Sequence, residues 1–166
     1  MITEFKNMPD TSRVLIYQAT RELNSDEVSG IIDRANQFLD SWKSHDQDLM
    51  ACIEVRYNRF VIIAIDESFA SVGGCSLDNA TRFIKSLQQE FQVALFDRMN
   101  FAYKEENDVK SCNRKEFESL IAQGIIHEDT IVFNNLVANK NELNTNWELP
   151  FKDSWHARLF TVPQKA

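Results

Sequence analysis

LMACIEVRYNRFVIIAID, residues 49–66, is the stretch on which the fold turns. From Leu49 to Tyr57 apolar and polar side chains alternate in part, and from Phe60 to Asp66 an apolar run of strand length follows. Period two marks a strand with one covered face, and a short apolar run between polar flanks marks a buried one. Asn58-Arg59 stands between the two runs, so the segment predicts a β-hairpin with its turn there. Upstream, RVLIYQA (Arg13 to Ala19) predicts a strand. Asn24 with Glu27 three residues on then forms a capping box that opens a helix. The apolar stripe of that helix is Val28, Ile31, Ile32, Ala35, Phe38, Leu39 and Trp42, spaced for one face. Downstream, Ser76 is the expected N-cap of a second helix that turns Leu77, Ala80, Ile84, Leu87 and Phe91 inward. VALF (Val93 to Phe96) predicts a closing strand.

The order βαββαβ is that of a ferredoxin-like split βαβ sandwich, in which two helices cover one face of an antiparallel sheet. After Met99 the pattern changes. NFAYKE, the polar END and VKSCN predict another hairpin. Asn113, with Glu116 three on, caps RKEFESLIAQG, whose Phe117, Leu120 and Ile121 face inward and whose Gly124 ends the helix as a C′ glycine. DTIVFNNLV predicts a strand, and NWELPFKDSWHARLF a closing segment whose SWHARLF alternates as a half-exposed strand does. The class is α+β, with residues 1–99 as the sandwich and residues 100–166 as a smaller unit packed on it.

Composition narrows the function. The 166 residues carry a net charge of −7, with 43% hydrophobic and 26% charged side chains. Nucleic acids and anionic membranes attract a positive field, so neither is an expected partner. The longest clearly apolar run, FVIIAI, is far below the ~20 residues of a membrane span, and MITEFKNMPDTSR lacks the pattern of a signal peptide. Cys52, Cys75 and Cys112 are odd in number and show no C-x-x-C spacing, which suits a reducing cytoplasm. The expectation is a cytoplasmic protein with no cofactor and no metal.

DESFASVGGCSLDNATRF, residues 66–83, is the one chemical candidate. A glycine pair followed by Cys75 and Ser76 at a helix start places a thiol where free amides and the dipole favour an anion. Cys75 as nucleophile, with Ser76 and Arg82 in support, defines a thiol-dependent enzyme or small-anion site. Against it stand Asp66, Glu67 and Asp78, which repel an anion, and the C-x6-R spacing, one residue longer than a phosphatase loop. The plainer reading makes Gly73-Gly74 a turn and Cys75 a small buried apolar residue. Asp66, Glu67 and Asp78 are oxygen ligands of the kind Mg²⁺ takes, but an acidic loop in an acidic chain is more often solvated. His45, His127 and His156 lack zinc-ligand spacing, and no G-x-S-x-G occurs.

The residues FAYKEENDVKSCNRKEFESLIAQGIIHEDTIVFNN, with Trp147 and Pro150 downstream, resemble the small GYF-like units of bacterial proteins. The matching positions are Glu116, Phe117, Leu120, Ile121, Gly124, Ile126, Asp129, Thr130 and Val132, within roughly residues 100–155. Eukaryotic GYF domains bind proline-rich peptides on an aromatic surface. This chain has no Gly-Pro before the helix, no Trp inside it and no G-Y-F triplet. The resemblance therefore implies an aromatic peptide-binding surface of Phe101, Tyr103, Trp147 and Trp155. DRMNFAY, DTIVFNNLV and PFKDSWHARLF also resemble a bacterial family sometimes labelled ABC-transporter ATPase. That label does not fit: Gly30, Gly73, Gly74 and Gly124 give no G-x-x-x-x-G-K-[ST] loop for a nucleotide phosphate. The favoured expectation is a non-catalytic protein- or peptide-binding module with an exposed patch including Tyr103 and Trp147 or Trp155. The alternative is thiol or anion chemistry at Gly73-Gly74-Cys75-Ser76.

Overall fold

The computed structural model describes residues 3–44, 46–68 and 70–160. They form two compact units, residues 3–96 with Ala138–Asn141 and residues 97–137 with 142–160, in a mixed α+β architecture of antiparallel sheets. No helix among the described residues is long and apolar enough to cross a membrane.

The first unit opens with a 3-10 turn, Phe5–Asn7, then strand β1 (Arg13–Gln18) and helix α1 (Ser25–Ser41). Both bonds of the capping box form: the Glu27 amide donates to Asn24 Oδ1 at 2.8 Å, and the Asn24 amide to Glu27 Oε1 at 3.0 Å. A two-residue hairpin that periodicity did not signal follows, β2 (Lys43–Ser44) with β3 (Gln47–Asp48). The decisive hairpin is β4 (Met50–Arg56) with β5 (Phe60–Asp66), and helix α2 (Gly74–Phe91) completes the unit. The turn lies one residue earlier than Asn58-Arg59: Tyr57 and Asn58 both take left-handed φ, 54° and 53°. Paired left-handed residues match the twist of the flanking strands, which explains why a Tyr accepts this conformation.

In the sheet, order β1-β5-β4, β5 runs antiparallel between β1 and β4. Val61, Ile63 and Ile65 of β5 join Ile31, Leu39, Ala80 and Ile84 of the helices in one core, so α1 and α2 share a face of the sheet. Gly30 lets the helices approach, because a Cβ there would stand 2.8 Å from the Phe91 ring. Ile32, placed on the inward stripe by spacing, is 41% exposed at the margin. Arg21 links two helix ends. It pairs with Glu27 at 2.7 Å and donates to the Phe91 carbonyl at 2.9 Å, setting a cation on the negative end of α2. That guanidinium, then the Asn24 amide, hold the Glu27 carboxyl down at about 2.

Val93 to Phe96 is not a strand. Val93 and Leu95 are buried in the same core, and the Ala94 carbonyl accepts from the Thr20 amide at 3.2 Å, without a ladder. The free edge of β1 instead meets residues 138 and 139, through the Val14 amide on the Ala138 carbonyl at 3.0 Å and a bridge from Arg13 to Asn139.

The second unit has the hairpin β6 (Asn100–Glu105) and β7 (Asp108–Asn113), then α3 (Arg114–Ala122) and β8 (Ile131–Phe133). After α4 (Lys140–Asn146), whose first residues belong to the other unit, come β9 (Glu148–Pro150), a 3-10 turn (Phe151–Asp153) and the single turn α5 (His156–Leu159). Asn113 accepts from the Glu116 amide at 2.9 Å, and Gly124 takes φ 75°, as a cap and a C′ glycine require. The sheet order is β7-β6-β8-β9. SWHARLF is helical rather than extended. The Phe160 amide donates to the His156 carbonyl at 2.9 Å, and both residues are buried at helical spacing. So short an alternating pattern fits either period, and packing chose the helical one.

Phe117 is the hub of this unit. It is fully buried, with ring centroids 4.7 Å from Phe160, 5.5 Å from Phe101 and 6.2 Å from Tyr103. Phe117→Ala is expected to destabilise the second unit by roughly 3–5 kcal/mol, the range for emptying a buried aromatic site. Denaturant unfolding followed by near-ultraviolet dichroism reads the change, and a loss below 1 kcal/mol would mean that the ring is no keystone.

Candidate functional site

At the glycine–cysteine loop, β5 ends in Asp66, whose Oδ1 accepts from the Ser68 amide at 2.9 Å and the Ser68 hydroxyl at 2.6 Å. Glu67 is paired with Arg13 at 3.3 Å. Both carboxylates therefore shape the turn. Asp78 is exposed and falls beyond the first turn of α2, because the helix opens at Gly74 with Gly73 as N-cap. Among the described residues no three His, Cys, Asp or Glu side chains converge as metal ligands.

Ser76 is not the cap. It is 3% exposed, and its hydroxyl donates to the Lys43 carbonyl at 2.8 Å. Its own carbonyl accepts from Trp42 Nε1 at 3.1 Å, while Ser44 Oγ accepts from the Gly73 amide at 3.3 Å. The helix start is thus tied to the end of α1 and to β2, and the side chain that spacing proposed as a cap is consumed as an anchor. Cys75 is exposed, contrary to the reading of a small buried residue. Arg82 is exposed seven residues on, roughly 10 Å further along the axis at 1.5 Å per residue. Cys75, Ser76 and Arg82 are not assembled into one site.

Of the aromatic candidates, Phe101, Tyr103 and Trp147 are 3%, 5% and 1% exposed and belong to the core. The reason is strand geometry: Phe101 and Tyr103 stand two apart on β6, so they share the face that meets Phe117. Trp147 packs at 5.0 Å on Phe133, and its Nε1 donates to Asn135 Oδ1 at 2.9 Å. Trp155 alone stays partly exposed.

Trp155 lines an open groove of about 490 Å³ in the second unit. One wall is the loop after β8. The Asn134 amide donates to the Trp147 carbonyl at 2.6 Å, Asn134 Nδ2 to the Asn146 carbonyl at 3.1 Å, and Asn134 Oδ1 accepts from the Leu136 amide at 3.2 Å. That bracing holds up Leu136, the most exposed large apolar residue described, at 74%. Asn146, Leu149 of β9, Asp153, Ser154, Trp155 and Arg158 complete the lining. Leu136, Leu149 and Arg158 lie on separate segments with no motif to join them, so spacing had no signal for this groove.

Two indoles in the chain are satisfied, those of Trp42 and Trp147. Nε1 of Trp155 is buried with no acceptor among the described residues. A buried donor left so costs roughly 1–3 kcal/mol. Behind Trp155 its ring stacks on His156 at 3.8 Å, and Ser154 Oγ lies 2.7 Å from His156 Nδ1. Burial pushes the His156 imidazole down to about 4. His127 is exposed and closes a tight turn, its Nδ1 accepting from the Asp129 amide at 3.2 Å; His45 lies outside the described residues.

Two outcomes are expected. The unfolded chain takes up a proton at His156 from pH 6.5 downward, and the folded chain only near 4. Stability is therefore full above 6.5 and falls as pH drops through this window. Between pH 7 and 4.5 the loss from this residue is about 2 kcal/mol, and His156→Phe removes it. Urea midpoints at the two pH values, native against variant, measure the difference. Second, burial pushes the Cys52 and Cys112 thiols up to about 11. Iodoacetamide is expected to label Cys75 alone in the folded chain and all three thiols in urea, and fast native labelling of Cys52 or Cys112 would contradict the burial.

Set beside known proteins, the chain matches no family model, no curated protein and no solved structure.

Proposed function

We propose that this chain is a non-catalytic module that binds a protein or peptide in the Trp155 groove. The observation that carries the reading is Leu136, braced at 74% exposure on a groove that Trp155 also lines. A side chain held out of the core by three hydrogen bonds on Asn134 is suited to contact a partner, and grooves of this volume fall in the range of small-ligand sites. The aromatic surface is thus reduced to Trp155, with Phe101 packed against it at 6.3 Å and Tyr103 and Trp147 in the core.

The same proposal takes the first unit as ferredoxin-like and residues 100–155 as GYF-like. The order β1-β5-β4 supports the former, with residues 138 and 139 on the β1 edge where the fourth strand of such a sandwich runs. The hairpin, capped helix and following strand support the latter. Three unpaired thiols support a reducing cytoplasm, and the acidic balance supports a protein partner over a nucleic acid or a membrane. The second reading, thiol or anion chemistry at Gly73–Ser76, draws on the exposure of Cys75 in the first turn of α2.

The test is selection from a peptide display library on the full chain, followed by titration of the selected peptides. Leu136→Asp is expected to weaken them at least tenfold, about 1.4 kcal/mol, with the melting temperature unchanged because the side chain is outside the core. Equal binding by native chain and variant, or no selected peptide at all, sinks the reading.

A further inference from the structure

We propose that the groove receives the carboxyl-terminal end of a peptide whose last side chain is apolar, an inference that rests on the groove being a peptide site. The lining divides into groups already engaged and groups that are not. Asn134 uses both ends of its amide to brace the loop, and Ser154 Oγ is on His156 Nδ1. The Trp155 indole N–H is buried with no acceptor among the described residues, and Arg158 and Asn146 stand exposed on the lining. Asp153 is the one carboxylate on the lining; the adjacent Lys152 is paired with Asp129 at 3.0 Å, which raises its ammonium pKa, with Asp153 adding a smaller field.

A groove lined by an exposed guanidinium and apolar side chains, with an indole N–H that a turn of the Trp155 ring brings to it, calls for an acceptor attached to an apolar group. A carboxylate supplies two oxygens, takes a bidentate guanidinium and still accepts from an indole. The spacing selects which carboxylate. The Arg158 amide donates to the Trp155 carbonyl at 3.0 Å, so the two residues are one helical turn apart and share a face, within about 6 Å. At a chain end the carboxylate and the last side chain leave the same carbon, which sets charge on Arg158 and apolar contact on Trp155, Leu136 and Leu149 together. An aspartate or glutamate side chain carries its charge on its own stem and leaves the apolar contact to another residue. Turning the Trp155 ring toward an acceptor sacrifices no hydrogen bond, since Nε1 has none; only its stacking on His156 resists.

The indole protons give the readout, because Trp42 and Trp147 are bonded at 3.1 and 2.9 Å and serve as internal references. The full chain, ¹⁵N-labelled at tryptophan, is titrated with N-acetyl-Ala-Ala-Leu as the free acid, with its C-terminal amide, and with N-acetyl-Ala-Leu-Asp amide bearing a side-chain carboxylate. Trp155→Phe identifies the resonance. The free acid is expected to move the Trp155 signal alone and to bind at least tenfold more tightly than either amide, a preference that Arg158→Gln removes. Equal binding of acid and amide overturns the inference, and so does the aspartate peptide matching the free acid. If the free acid leaves the signal unmoved while display-selected peptides bind in a Leu136-dependent way, the terminal carboxylate is wrong and the peptide groove stands. If neither binds, both fall.

Discussion

A main chain taken out of water must find partners for every N–H and C=O, and β5 sets that demand for the first unit. All seven of its residues are buried. A strand covered on both faces has no solvent to bond, so it must be paired along both edges, which is why β1 and β4 flank it over nearly its whole length. The helices follow from the same demand, because Val61, Ile63 and Ile65 need apolar cover and the amphipathic faces of α1 and α2 supply it. Those helices then need their ends satisfied. Arg21 serves two of them, through Glu27 at the start of α1 and the last carbonyls of α2.

In the second unit the organising element is an aromatic cluster. A four-stranded sheet with two strands of only three residues cannot bury much surface with aliphatic residues alone, and large rings supply area at few positions. Phe117 gathers Phe101, Tyr103, Phe151 and Phe160 around it. The rings that a sequence search offers as a binding surface are therefore those the fold most needs inside. Trp155 escapes full burial because His156 and Phe160 take the inward positions of α5 and leave it beside the groove. Its N–H, buried with no acceptor among the described residues, is a local conflict between packing and hydrogen bonding.

The glycine–cysteine loop illustrates the opposite outcome. Strand, glycines, cysteine, serine and helix occur in the order that anion sites use, yet Asp66, Glu67 and Ser76 have structural employment. Asp66 holds Ser68, Glu67 meets Arg13, and Ser76 holds the Lys43 carbonyl. Residue type and order describe both cases equally; the difference is in where the hydrogen bonds go.

Local chemistry decided what the sequence could determine unaided. The two asparagine caps, the C′ glycine, the α1 and α2 stripes and the β4–β5 hairpin are all readable because each depends on neighbours within a turn or two. The short hairpin β2–β3, the failure of Val93 to Phe96 to pair, the helical turn at His156 and the groove were settled only in three dimensions. Two-residue strands carry no period, and Val93 and Leu95 gain more from the core than from a ladder. Leu136, Leu149, Trp155 and Arg158 come together through a sheet register and a braced loop. Side chains on separate segments have no common spacing, so the site they form belongs to the tertiary structure alone.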